Sequence, residues 1–106
     1  MNSPAYMRQY RKDNAERLAY QDWAESLRRN YGITPAQYEQ FFSEQGGCCG
    51  LCGREAGERK LHVDHDHETG VVRGLLCVNC NTALGTLGDN PEGLRRALAW
   101  TERGLS

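Results

Sequence analysis

The chain has 106 residues, of which 39 % are hydrophobic, against roughly 45–50 % in an average globular protein. That is enough for one domain but not for a large apolar core, so a staple such as a metal, disulfides or a partner subunit is expected. Thirteen basic and 14 acidic residues give a net charge of −1, which excludes binding to DNA by bulk charge alone and leaves room for a local basic patch. No apolar run approaches the roughly 20 residues of a membrane span, and the opening MNSPAYMRQYRKDNAER has no apolar stretch of a secretory signal. A cytoplasmic protein without a membrane partner is expected.

Residues 4–31 carry Tyr6, Tyr10, Tyr20, Trp23, Leu27 and Tyr31 near helical spacing, which predicts an amphipathic helix. Pro4 after Ser3 suits its start and Gly32 its end. Six basic residues (Arg8, Arg11, Lys12, Arg17, Arg28, Arg29) stand against four acidic ones over residues 1–31. This mild positive patch among tyrosines either touches phosphates or is a solvated face. Thr34-Pro35 opens a second, short helix with Tyr38, Phe41 and Phe42 as its apolar side, broken at Gln45-Gly46-Gly47. A polar loop, residues 54–60, follows a cysteine pair. Leu61 to His65 alternates apolar and polar and predicts a strand, Glu68-Thr69-Gly70 a turn, and Val71 to Leu76 a second strand, hence a hairpin with a wide loop. A helix is expected over about residues 79–87. Asp89-Asn90-Pro91-Glu92 starts a last helix over about 91–103, with Leu94, Ala97, Leu98 and Thr101 on one face and Gly104 as its stop.

Five cysteines occur, Cys48, Cys49, Cys52, Cys77 and Cys80, an odd number that argues against a disulfide framework. Four make the pairs Cys49-Gly-Leu-Cys52 and Cys77-Val-Asn-Cys80, separated by 24 residues. A C-x-x-C turn aims two thiolates at one point, and two such turns complete the tetrahedral shell that Zn²⁺ prefers. Cys48 offers an alternative to Cys49 through a C-x-x-x-C spacing; cysteines used as small core residues, or as a redox pair, are the other readings. All three histidines, His62, His65 and His67, fall between the pairs and alternate with Asp64 and Asp66. Imidazoles and carboxylates so concentrated are costly to bury without partners. They make either a site for chemistry or a solvated acidic loop. With four thiolates filling the zinc shell, the histidines are left over for chemistry.

Cys49-x-x-Cys52, Val63-Asp64-His65-Asp66-His67-Glu68 and Val72-Arg73-Gly74-Leu75-Leu76-Cys77-x-x-Cys80-Asn81, in that order, resemble the phage recombination endonuclease VII family, within the wider HNH or His-Me finger nucleases. The resemblance covers about residues 47–88. It implies an α+β, mainly α fold: a ββα-metal (His-Me finger) core with a structural zinc site of four cysteines, flanked by N- and C-terminal helices. Residues 1–46 would be a helical lead and 47–106 the nuclease domain. Carried over, Cys49, Cys52, Cys77 and Cys80 match the ligands of Zn²⁺, His65 the general base, Asp64 and Asn81 the ligands of a catalytic Mg²⁺ or Mn²⁺, and His67 a second active-site histidine that helps with the phosphate. The sequence departs from the family's junction-resolving enzyme in two ways. It stops short of that enzyme's long C-terminal extension, and Thr82-Ala83-Leu84 follow Asn81 where the family has an acidic residue.

The chemistry is coherent without the resemblance. A phosphodiester repels nucleophiles, so a catalyst must activate water, offset charge on the phosphate and stabilise the departing oxygen. Histidine accepts a proton near neutral pH, and one carboxylate with one amide leaves most of a hard cation's shell open. Arg73 either pairs with a phosphate or makes a surface ion pair. His62 either joins the site or orients Asp64. Four thiolates on Zn²⁺ bring the net charge to about −3, so DNA binding must rest on local basic residues and be strongly salt-dependent. The expected function is a Mg²⁺-dependent DNA endonuclease, monomeric or homodimeric, in a phage recombination or packaging assembly within a bacterial host. The competing expectations are a non-catalytic zinc module that binds nucleic acid or protein, and a ribonuclease or a nuclease active only within a larger complex.

Overall fold

The computed structural model describes residues 4–104. Its elements run α1 (Pro4–Tyr31), α2 (Pro35–Glu44), β1 (His62–His65), β2 (Val72–Leu76), α3 (Val78–Thr86) and α4 (Pro91–Thr101). The fold is therefore mainly helical, with one small two-stranded sheet. The chain divides into two compact units, Met1–Gln37 and Tyr38–Ser106.

In the first unit, α1 ends where Gly32 takes the left-handed conformation at φ 70°. Gly32 N–H bonds to the Arg28 carbonyl at 2.9 Å and Ile33 N–H to the Leu27 carbonyl at 3.5 Å, the closure that satisfies a helix's last carbonyls. Leu27 and Ile33 are both buried. The expected apolar stripe is not buried along its length: Tyr6, Tyr10 and Tyr20 are each more than half exposed. The stretch of α1 carrying them is spaced like an amphipathic helix without a covering layer in its own unit. Ser3, which precedes the start of α1, lies outside the described residues. Thr34 and Gln37 form a reciprocal box, with Gln37 N–H donating to Thr34 Oγ1 at 3.2 Å and Thr34 N–H to Gln37 Oε1 at 2.8 Å.

The second unit is organised by the hairpin. Strands β1 and β2 pair antiparallel, and α3 packs against both. The core is Leu61, Val63, Leu75 and Leu76 with Tyr38, whose hydroxyl donates to the Leu61 carbonyl at 2.6 Å. Gln45, just past α2, is a clamp: its Nε2 donates to the carbonyls of Cys48 (2.8 Å) and Leu75 (2.9 Å), and its Oε1 accepts from Leu75 N–H (2.9 Å). A side chain at Gly74 would place its Cβ 2.9 Å from that Oε1, and Gly74 sits at φ 148°. Only glycine meets both demands easily. The register runs Asp64↔Gly74 and then His65↔Val72, so Arg73 is the extra residue of a β-bulge, which the alternating pattern did not announce.

Helix α4 starts at its Asn90 cap, which accepts from Gly93 N–H at 2.7 Å. Its buried residue is Gly93, where a Cβ would lie 1.7 Å from the Leu87 carbonyl oxygen. Leu94 and Leu98, the expected inward face, are 40 % and 61 % exposed. The helix is thus seated by backbone contact at its first turn rather than by a leucine stripe. It also stops at Thr101, three residues before Gly104, where Thr101 Oγ1 bonds to the Leu98 carbonyl at 2.7 Å.

Candidate metal centre and acidic cleft

Two constellations flank the hairpin. The first is the cysteine cluster, next to the His62↔Leu76 end. Residues 47–56 fold into a small loop closed by Cys49 N–H to the Arg54 carbonyl (2.8 Å) and Ala56 N–H to the Gly47 carbonyl (2.9 Å). Leu51 N–H points at Cys49 Sγ at 3.4 Å. The second pair opens α3: Cys77 is its cap, and Cys80 N–H donates to Cys77 Sγ at 3.4 Å. The sulfurs of Cys49, Cys52, Cys77 and Cys80 lie within 4.8 Å of one another, and Cys52 and Cys77 Sγ are 3.9 Å apart. Sulfurs on a tetrahedron with Zn–S near 2.3 Å are about 3.8 Å apart, so the four fit Zn²⁺. Cys48 is outside the cluster, with its thiol on the Gly46 carbonyl at 3.4 Å.

The thiols are electrically unequal. Burial pushes Cys49 up, but backbone groups of Cys77, Cys52 and Leu51 together with the Cys52 thiol outweigh it and bring Cys49 down to about 6. Cys80 is pushed up to about 12, by its hydrogen bond with Cys77 first, then by burial and by the thiols of Cys49 and Cys52.

The second constellation lies at the His65↔Val72 end. Asp64 is 7 % exposed. Its carboxylate accepts from Arg73 Nε at 2.8 Å and from Nη2 at 3.2 Å. The bulge accounts for this: regular alternation would put Arg73 on the face opposite Asp64, and the extra residue re-aims it. Arg73 Nη2 also donates to the His65 carbonyl at 3.1 Å and to Asp89 Oδ1 at 2.7 Å. The bond to Asp64, foremost, and that to Asp89 raise the guanidinium's pKa against an opposing effect of burial. Asp89 Oδ2 lies 3.2 Å from His67 Nε2, and the rings of His65 and His67 are tilted together at 4.7 Å. Asp66 Oδ1 accepts from the N–H groups of Glu68 (2.8 Å) and Thr69 (3.0 Å), shaping the turn. Those bonds, Thr69's first, hold the Asp66 carboxyl below its usual range.

The structure thus brings together Asp64, His65, His67 and Arg73. Asn81 is half-buried on the first turn of α3, its N–H on the Cys77 carbonyl at 3.0 Å. One turn later, Leu84 lines a cavity of about 230 Å³ with Asp64 and Arg73. His62 is exposed, and among the described residues no hydrogen bond joins it to Asp64. Asp89 and Gln45 were missed by the sequence reading, which took Asp89 only as part of a helix start. Both act through contacts 16 to 30 residues away.

A model of the recombination endonuclease VII family matches residues 24–103. The chain belongs to that family. Two relatives are the Gene 59 proteins of Mycobacterium phage D29, 46 % identical over 83 residues, and of Mycobacterium phage L5, 46 % identical over 80 residues. The matches cover 76 % and 74 % of this chain but 50 % and 49 % of the relatives, so the chain spans about half the length of the curated relatives it matches. The family match takes in both cysteine pairs, the hairpin, α3 and α4. Among the described residues, no helix is long and apolar enough to cross a membrane.

Proposed function

We propose that this recombination endonuclease VII family member is a metal-dependent DNA endonuclease of the HNH type. Its cleavage centre would be a ββα-metal core formed by β1, β2 and α3 within residues 47–106, with residues 1–46 as a helical lead. The observation that carries this reading is a buried aspartate next to a histidine on the first strand of a hairpin that a family-matched helix packs against.

In this reading His65 is the general base: a ring nitrogen takes a proton from water, whose oxygen then attacks phosphorus as the bond to the 3′ oxygen breaks. Asp64 and Asn81 would hold Mg²⁺ or Mn²⁺. Their oxygens suit a hard cation, and the Asp64 carboxylate keeps lone pairs beyond the two Arg73 bonds. The cation, when bound, supplies charge neutralisation at the phosphate. His67 and Arg73 face the phosphate's developing charge, and His62, exposed at the other end of β1, would play at most an outlying part. Zn²⁺ held by Cys49, Cys52, Cys77 and Cys80 would fix α3 to the loop at residues 47–56 and would take no part in the cut. DNA is the substrate, branched or nicked DNA included, and the setting is a phage recombination or packaging assembly acting in the host cytoplasm as monomer or homodimer.

The test is supercoiled plasmid with zinc-loaded protein, with and without added Mg²⁺, beside His65→Ala. Nicking or linearisation that requires Mg²⁺ and disappears in folded, zinc-bound His65→Ala is the expected result. Folded wild-type protein that binds plasmid and a four-way junction yet cuts neither overturns the reading in favour of a non-catalytic zinc module.

A further inference from the structure

Asp89 is the one non-glycine residue with positive φ among the described residues, at φ 53°. Aspartate tolerates this left-handed conformation better than most side chains, though at some cost. The turn around it is gripped from both sides. Asp89 N–H bonds to the Leu84 carbonyl at 2.8 Å and Gly88 N–H to the Gly85 carbonyl at 3.1 Å. On the far side, Asn90 caps α4 and Gly93 rests on the Leu87 carbonyl. A residue held this firmly in a costly conformation has its side chain aimed by the fold.

That side chain is only 13 % exposed: Oδ1 takes Arg73 Nη2 at 2.7 Å, and Oδ2 lies 3.2 Å from Nε2 of His67, whose side chain is 69 % exposed. Neither donor is a sequence neighbour. A carboxylate only accepts, so the 3.2 Å contact favours a proton on Nε2 of His67, which leaves Nδ1 as the acceptor of the neutral ring. Asp89, His67 and Arg73 line one open hollow of about 720 Å³, with Arg95 and the carboxylates of Asp66, Glu68 and Glu92 also on its wall. The hollow has room for a segment of sugar–phosphate backbone beside the histidine.

We propose that Asp89 is a positioning residue of the cleavage site, holding Arg73 through Nη2 and His67 through Nε2 at the wall of the hollow in which the phosphate would lie. The inference rests on the nuclease reading above. Asp89 itself touches neither substrate nor cation; it acts through the two groups it holds.

Two substitutions preserve the turn. Glycine takes φ near 53° without strain and removes the carboxylate; asparagine keeps the shape and a single acceptor oxygen. Asp89→Gly and Asp89→Asn are compared with wild type, all zinc-loaded, with circular dichroism and zinc content as checks of folding. The ¹⁵N spectrum of the His67 ring, assigned with His67→Gln, is recorded without Mg²⁺ at about pH 8, above the ordinary histidine range. Single-turnover plasmid cleavage is measured in parallel with Mg²⁺.

Wild type is expected to show the Nε2–H form of His67. Asp89→Gly is expected to lose that preference and to cut about 10- to 100-fold more slowly, the usual cost of losing a group that orients a site residue, with Asp89→Asn in between. If Asp89→Gly fails to hold zinc, Asp89→Asn decides alone. An unchanged His67 spectrum in the folded variants overturns the proposal, as does an altered spectrum with wild-type cleavage. Wild-type protein with the Nε2–H signature that never cuts overturns the nuclease reading and the role with it, while the Asp89–His67 contact stands.

Discussion

The cysteine cluster and the Asp64–Arg73–Asp89–His67 network flank the two ends of one hairpin, and they are built in opposite ways. Each cysteine pair is local. Cys49 to Cys52 and Cys77 to Cys80 are turns four residues long, and their N–H···S contacts arise within those turns. Only the joining of the pairs is long-range. In the network each link is long-range: Arg73 reaches Asp64 nine residues away and Asp89 sixteen away. The short spacing keeps the two thiols of each pair close in sequence whatever the chain does, whereas the network exists only after β1, β2 and the turn following α3 have met. The cluster can therefore help to make the fold, and the network can only report that it has been made.

Breaking the cluster is expected to have the largest effect. Structural zinc contributes apparent binding free energies of about 10–16 kcal/mol in small zinc-dependent folds. Cys80→Ala, or a strong chelator, should therefore unfold the unit from Tyr38 onward, seen as collapsed amide dispersion with loss of bound zinc. Gly93→Ala comes next. A Cβ 1.7 Å from the Leu87 carbonyl oxygen forces α4 off its seat, and about 3 kcal/mol of lost stability in urea is expected, the upper end for overpacking. The zinc content should stay unchanged.

Arg73→Leu tests the network alone. It leaves a nearly buried carboxylate without its charged donor. About 1–2 kcal/mol is expected, within the range for hydrogen bonds to charged groups and reduced because Arg73 is 40 % exposed. Zinc stoichiometry by elemental analysis should match wild type. If Arg73→Leu released zinc, the separation of the two ends would be wrong. The smallest effect belongs to Arg96→Ala, which removes an exposed pair with Glu92 at 3.3 Å. No more than about 0.5 kcal/mol is expected, measurable only against the larger changes in the same urea series.

The same contrast explains what could be read from the sequence. Helix starts were legible because they are chemical and local: Thr34-Pro35 and Asn90-Pro91 open α2 and α4 as their residue types predict. The cysteine spacing and the Glu68-Thr69-Gly70 turn were legible for the same reason. The bulge at Arg73 was not, because alternation assumes a regular partner and one extra residue reverses the face of everything beyond it. The leucines of α4 misled: their spacing describes a helix, but its seat is a glycine, and a missing side chain leaves no periodic signal. In the candidate site, Asp64, His65 and His67 were visible as a run, while Asp89 sits in a stretch whose residue types already had a sufficient explanation as a helix start.

The Gln45 clamp has a consequence for how the second unit comes apart. Tyr38 to Leu61, Gln45 to Leu75 and Cys52 to Cys77 tie residues 23, 30 and 25 positions apart, and the three spans overlap along the chain. Closing the first of these loops carries most of the entropic cost, since closure entropy grows only slowly with length and overlapping loops share the same ordered stretch. The three ties should then be lost together. Amide exchange at Leu75, whose N–H Gln45 holds, should follow the same opening event as exchange at Cys80, and intermediates with one tie broken should be scarce along the unfolding curve.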